Sequence, residues 1–174
     1  MRSGVYDAPM AGDETFADVF AANEAYARGF PHRGLQARAA QGLAVLTCID
    51  SRIEPLALLG LEPGDAKILR NAGARVTSDA MRSLVLASHL LGVDRVMVIA
   101  HTDCRMTGTE AEVHTALRDA GAPDTRELDF LVTDDQQKTV RDDVHLLRSS
   151  PYFTHVRVGG FRYDVETGRL TQLC

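Results

Sequence analysis

The chain has 174 residues, 45% of them hydrophobic and 25% charged, with a formal net charge of −5. That length suits one α/β domain over residues 1–174 with a core of real size. Acids and bases are interspersed, so no basic stripe points to nucleic acid and no polybasic run points to a membrane surface.

In chain order, the first predicted element is a helix over 14–28, where Phe16, Val19, Phe20 and Tyr26 recur at helical spacing. It is apolar for a solvated arm, so residues 1–30 read as a helical arm suited to packing on a partner subunit. Residues 42–49 are a nearly continuous apolar run, the pattern of a strand buried on both faces. A short helix over 55–61 is closed by the Glu62-Pro63-Gly64-Asp65 turn. A second strand over 66–70 runs into Asn71-Ala72-Gly73. Residues 78–91 predict a helix capped by Thr77 or Ser78, with Asp79 in its first turn and Gly92 at its end. Met81, Leu84, Val85, Ser88 and Leu91 share its apolar face. A third buried strand over 95–100 makes the unit a parallel crossover, right-handed by default.

Further helices are expected over 109–119 and 134–148, the second with Thr133 and Gln136 as a capping box and Val140, Val144 and Leu147 on its apolar face. Pro151 stops it. Strands over 154–165 and 169–173 are separated by a Glu166-Thr167-Gly168 turn. The predicted fold is α/β: a mainly parallel four- to five-stranded sheet with helices on both faces and an antiparallel edge strand.

The first sixteen residues hold no apolar core of signal-peptide length, and the longest apolar runs are about strand length. A cytoplasmic protein is therefore expected. In that reducing compartment Cys48, Cys104 and Cys174 are expected as thiols or metal ligands, and their odd number argues against a disulfide framework.

Two segments carry chemistry: Cys48-Ile49-Asp50-Ser51-Arg52 and His101-Thr102-Asp103-Cys104. Both fall at C-terminal strand ends, where open α/β sheets bind ligands. Singly, each residue has an ordinary reading, a buried Cys as apolar filler or an Asp-Ser-Arg run as a solvated turn. Jointly they place two thiolates and an imidazole at neighbouring strand ends, a donor set that favours zinc over magnesium or calcium. One helical turn would bring His101 and Cys104 together. Three protein ligands leave a fourth tetrahedral position for water, the pattern of a catalytic site. Asp50 is the better candidate for a closing ligand, and Cys174 is chemically eligible. An extended chain past Cys48 would turn Asp50 and Arg52 to the same crevice, where Arg52 stabilises the ionised carboxylate. Of the remaining histidines, His89 sits mid-helix beside the apolar face and reads as packed rather than catalytic, and His32, His114, His145 and His155 show no partner in the sequence.

The segments CIDSR (Cys48 to Arg52), ILRNAGA (Ile68 to Ala74) and HTDC (His101 to Cys104), with the tail GGFRYDVETGRL (Gly159 to Leu170), resemble the β-class carbonic anhydrases over residues 30–172. The resemblance implies Cys48, His101 and Cys104 as ligands of one zinc ion per chain, Asp50 and Arg52 as the dyad that orients or blocks the zinc water, and Asn71, Ala72 and Gly73 as the pocket lip. It also implies carbon dioxide and bicarbonate as substrates and a homodimer or dimer-based oligomer. One departure stands out: members of the family usually carry Gly after the second Cys, where this chain has Arg105. Two other readings keep the site: hydrolysis of carbon disulfide or carbonyl sulfide, and a catalytically silent, zinc-stabilised interaction protein in which Arg105 blocks access.

Overall fold

The computed structural model describes residues 14–174. The described residues up to 35 belong to one compact unit and residues 36–174 form a second. In the first, a single 3-10 turn at Glu14–Phe16 leads into helix α1, Ala17–Arg28. No residue of α1 is buried, and Phe16, Val19, Phe20 and Tyr26 are each more than half exposed.

The larger unit is built on strands β1 (Leu43–Cys48), β2 (Ala66–Asn71), β3 (Arg95–His101), β4 (Arg157–Tyr163) and β5 (Leu170–Gln172). Their order across the sheet is β2-β1-β3-β4-β5, parallel except for β5. All six residues of β1 are buried, as its apolar run requires of a central strand. The chain steps from β1 outward to β2, then crosses back to β3 on the other side. Strand order therefore reverses at β1, and the crevice beyond the ends of β1 and β3 is where such sheets place ligands.

Helices α3 (Ser78–Leu90) and α5 (Gln136–Ser149) cover one face. Leu84, Ala87, Val140, Val144 and Leu147 pack there on Ala44, Leu46, Val96 and Val98. Leu59 of the short helix α2 (Pro55–Leu59), with Leu61, covers part of the other face over Leu43, Val45 and Ile99. Met97, Phe161, Tyr163 and Leu170 are only partly buried on that face. Thr77 caps α3 as expected, accepting from the Ala80 N–H.

The capping box expected at Thr133 and Gln136 is not formed. Asp135 is the cap of α5, its carboxylate accepting from the Lys138 N–H at 2.9 Å, while Thr133 Oγ1 accepts from the Asp135 N–H. A carboxylate at the positive helix end outcompetes a hydroxyl two residues earlier. The reciprocal box lies instead at Thr109 and Glu112, at the start of α4 (Glu110–Asp119). Among the described residues, no helix is long and apolar enough to cross a membrane.

Candidate metal centre

Cys48 is the last residue of β1 and His101 the last of β3, and the two strands are neighbours. The register therefore delivers both side chains to one end of the crevice. Cys104 arrives by a tight turn rather than by the helical turn expected from its spacing. Asp103 sits at φ 52°, in the left-handed region that Asp tolerates better than most residues, and this folds the chain back within three residues. The two sulfurs and one ring nitrogen lie within 4.8 Å of one another, and all three residues are buried.

The chain also turns, rather than staying extended, after Cys48. The Ile53 N–H donates to the Asp50 carbonyl at 3.1 Å. Arg70 holds this turn from β2, donating to the carbonyls of Cys48 (2.9 Å), Asp50 (2.6 Å) and Ile53 (3.1 Å). Asp50 still reaches the cluster, its Oδ2 lying 3.9 Å from His101 Nε2. Arg52 grips Asp50 through Nε (3.0 Å) and Nη2 (2.8 Å). The same guanidinium donates to Asp103 Oδ2 (2.7 Å) and to the Asp103 carbonyl (2.9 Å), so Arg52 ties the two motif segments together. Asp103 was not singled out in the sequence; the signal was an Asp inside a turn too short for any residue that resists positive φ.

His101 Nδ1 lies 2.8 Å from the Thr102 carbonyl, which can only accept, so Nδ1 carries the hydrogen. The Nε2 lone pair is then presented to the sulfurs. Among the described residues Nε2 is the buried side-chain polar atom with no hydrogen-bond partner. A buried acceptor left without a partner is costly, and a metal ion between Nε2 and the two sulfurs would satisfy it. The donor set, two thiolates and one imidazole, suits zinc.

The electrostatics follow from these contacts. The neighbouring Cys104 sulfur, with help from His101 and the Gly73 N–H, draws the Cys48 thiol well below its ordinary range against the effect of burial. The closeness of the Cys48 sulfur, together with burial, pushes the Cys104 thiol up. Burial opposes charge on His101, but the Cys48 sulfur outweighs it and the imidazole pKa is raised. Hydrogen bonds from Arg52 hold the Asp50 carboxyl well below the usual range. Ligation of both sulfurs therefore displaces the proton that the two cysteines keep between them, and at lower pH the His101 proton as well. Zinc uptake is expected to release about one to two protons per ion, with affinity falling as pH drops. Calorimetry in buffers of different ionisation enthalpy measures this, and a buffer-independent heat would contradict it.

Asn71 ends β2, and its amide is spent on its own loop, donating to the Arg75 carbonyl and accepting from the Arg75 N–H. Ala72–Ala74 form a 3-10 turn that aims the Gly73 N–H at Cys48 Sγ, 3.4 Å away. Arg105 is exposed, has no positive φ, and lines a cleft of about 890 Å³ with Asp50, Arg52, Cys104 and Val113. The backbone here makes no demand for glycine at position 105. Of the other histidines, His89 meets the Tyr152 carbonyl and the His155 ring, and His114 meets Thr125.

A sheet of this topology with a Cys/His/Cys cluster at its switch point defines an α/β protein with a built metal site. The family described as carbonic anhydrase matches residues 43–170. β-Carbonic anhydrase 1 of Mycobacterium tuberculosis is 33% identical over 159 residues, covering 90% of this chain and 96% of that one. The crystal structure of carbonic anhydrase from Streptococcus mutans superposes with a TM-score of 0.83 at 39% identity, covering 91% of this chain and 97% of that one. A carbon disulfide hydrolase of Acidianus is 34% identical over 154 residues, 74% of this chain and 75% of that one. The chain belongs to the β-carbonic anhydrase family. It is an enzyme of that class, with a Cys48/His101/Cys104 group able to bind metal.

Proposed function

We propose that this protein catalyses the reversible hydration of carbon dioxide to bicarbonate and a proton, with one zinc ion per chain held by Cys48, His101 and Cys104. The observation that carries this reading is the convergence of the three ligand atoms around an unpartnered His101 Nε2. Held by Cys48, His101 and Cys104, zinc would supply the Lewis acidity that makes hydroxide available from water near neutral pH.

The chain's own residues do the rest. Asp50 stays ionised beside Arg52 and is therefore an acceptor only. It takes a hydrogen bond from the attacking water and fixes its direction toward the carbon of carbon dioxide. A carboxylate held so low is a poor proton store, so the proton passes on to buffer. Arg52, holding both Asp50 oxygens, would keep that carboxylate from turning onto a metal bound there. Asn71, Ala72 and Gly73 form the lip beside Cys48. The half-exposed apolar side chains of α1 favour residues 1–30 as an arm on a second copy, giving a homodimer or dimer-based oligomer. In this reading the chain acts as one domain of a cytoplasmic enzyme, where its thiol ligands stay reduced.

The carbon disulfide hydrolase relative favours one second reading, attack of the same nucleophile on carbon disulfide or carbonyl sulfide. Stopped-flow hydration of carbon dioxide by zinc-loaded protein at pH 7–9, run beside sulfide release from both sulfur substrates, separates them. Hydration faster than sulfide release is expected. Sulfide release without hydration reassigns the substrate. No turnover of any of the three leaves the silent interaction protein, which the open cleft beside Arg105 disfavours.

A further inference from the structure

Asp143 is the buried carboxylate among the described residues, 6% exposed on the apolar stripe of α5. Nothing in the motifs calls for it. Its Oδ2 accepts from Arg75 Nε at 2.9 Å and from the Val76 N–H at 3.1 Å, and its Oδ1 accepts from Arg75 Nη2 at 3.3 Å. Arg75 is thus fixed by a two-pronged, charge-assisted pair. Its third nitrogen, Nη1, donates to the Leu131 carbonyl at 2.9 Å.

Both places that Arg75 reaches are strained. Gly73 and Ala74 stand at φ 78° and 60°, and Leu131 at φ 58°. Ala and Leu resist this region, so surrounding contacts must hold them there. On one side Arg75 exchanges two hydrogen bonds with the Asn71 amide, closing the loop whose Gly73 N–H donates to Cys48 Sγ. On the other, the chain runs from Leu131 to Thr133, whose N–H donates to the Met106 carbonyl at 3.2 Å. The Met106 N–H in turn donates to Cys104 Sγ at 3.5 Å. The two loops also touch, since a Cβ added at Gly73 would meet Met106 Cβ at 3.4 Å. Both sulfurs therefore receive a backbone N–H from loops that meet at Arg75.

We infer that Asp143 and Arg75 are positioning residues for the two sulfur ligands: they hold the loops whose N–H groups donate to Cys48 and Cys104. This rests on the metal-site reading above and adds to it. N–H donation withdraws charge from a thiolate, and partners beyond the ligands tune a metal site in this way. An ion pair serving stability alone would leave the sulfurs' electronic state untouched.

The test uses the full chain loaded with cobalt(II), whose sulfur-to-metal charge-transfer band reports thiolate donation, together with zinc affinity by chelator competition. Asp143→Asn and Arg75→Gln are each expected to move the band to lower energy and to weaken zinc binding by about tenfold or more. Val144→Ala, a buried neighbour on the same helix, serves as the stability control. It is expected to lower the unfolding temperature and leave band and affinity alone. If both polar variants keep the wild-type band and affinity, whatever their unfolding temperature, the pair is structural only and the inference is overturned. If Asp143→Asn does not fold, Arg75→Gln alone decides. If the wild type shows no sulfur-to-cobalt band, the metal-site reading itself falls, and this one with it.

Discussion

Cys104→Ser is expected to strip zinc from the protein and to lower carbon dioxide hydration by more than about 100-fold. Loss of a partner beyond the ligands costs 10–100-fold in metal affinity or activity, so loss of a ligand lies above that range. The serine hydroxyl nearly preserves shape in the small cluster of Cys48, Ile53 and Cys104. It stays neutral at pH 7 and offers a hard, weak donor where a soft thiolate is needed. The fold should survive, because the main core lies elsewhere, between the sheet and α3 and α5. Metal content after dialysis, hydration rate and far-ultraviolet circular dichroism check the three parts. A variant that retains stoichiometric zinc and near wild-type turnover would remove Cys104 from the ligand set.

Arg52→Gln is the second large effect, and it should separate metal binding from catalysis. Zinc content is expected to stay near stoichiometric while hydration falls by about 10²-fold, the scale for misdirecting a reacting group. Arg52 joins Asp50 to Asp103 and is the main cause of the lowered Asp50 pKa. Without it Asp50 returns toward its ordinary value of 3.8, still far below neutral. The carboxylate therefore remains charged at pH 7, and the loss is one of direction rather than of charge. Released, with its Oδ2 already 3.9 Å from His101 Nε2, it can swing onto the metal side of the cluster. The sign of the pH effect follows. The low-pH limit of any activity carried by ionised Asp50 should move up toward pH 4, leaving the profile near pH 7 unchanged in shape. Equal loss of zinc and activity would instead make Arg52 a support for the metal ligands.

Much of this was legible in the sequence because buried parallel strands announce themselves. The runs around Val45 and Val98 have no polar face to hide, and they end on Cys48 and His101. Once those ends lie side by side, the meeting of the Cys48 and His101 side chains follows from topology. The turns were less legible. Spacing placed Cys104 one helical turn from His101 and kept 48–52 extended, whereas positive φ at Asp103 and the grip of Arg70 on three carbonyls decide both paths. Neither is a periodic signal. The β4 strand begins at Arg157 rather than at residue 154 because Pro151–Phe153 form a 3-10 turn first. Asp143 was hidden for a different reason. A carboxylate beside Val144 reads as the solvent side of an amphipathic helix, and only the tertiary position of Arg75 makes it an inner residue.

The most direct measurement is X-ray absorption at the zinc edge of the protein as purified, with metal content and free thiols determined on the same sample. One zinc per chain is expected, surrounded by two sulfurs, one imidazole nitrogen and one further light atom. A zinc shell without sulfur, or a metal-free protein in which Cys48 and Cys104 are joined by a disulfide, would contradict the assignment of this site.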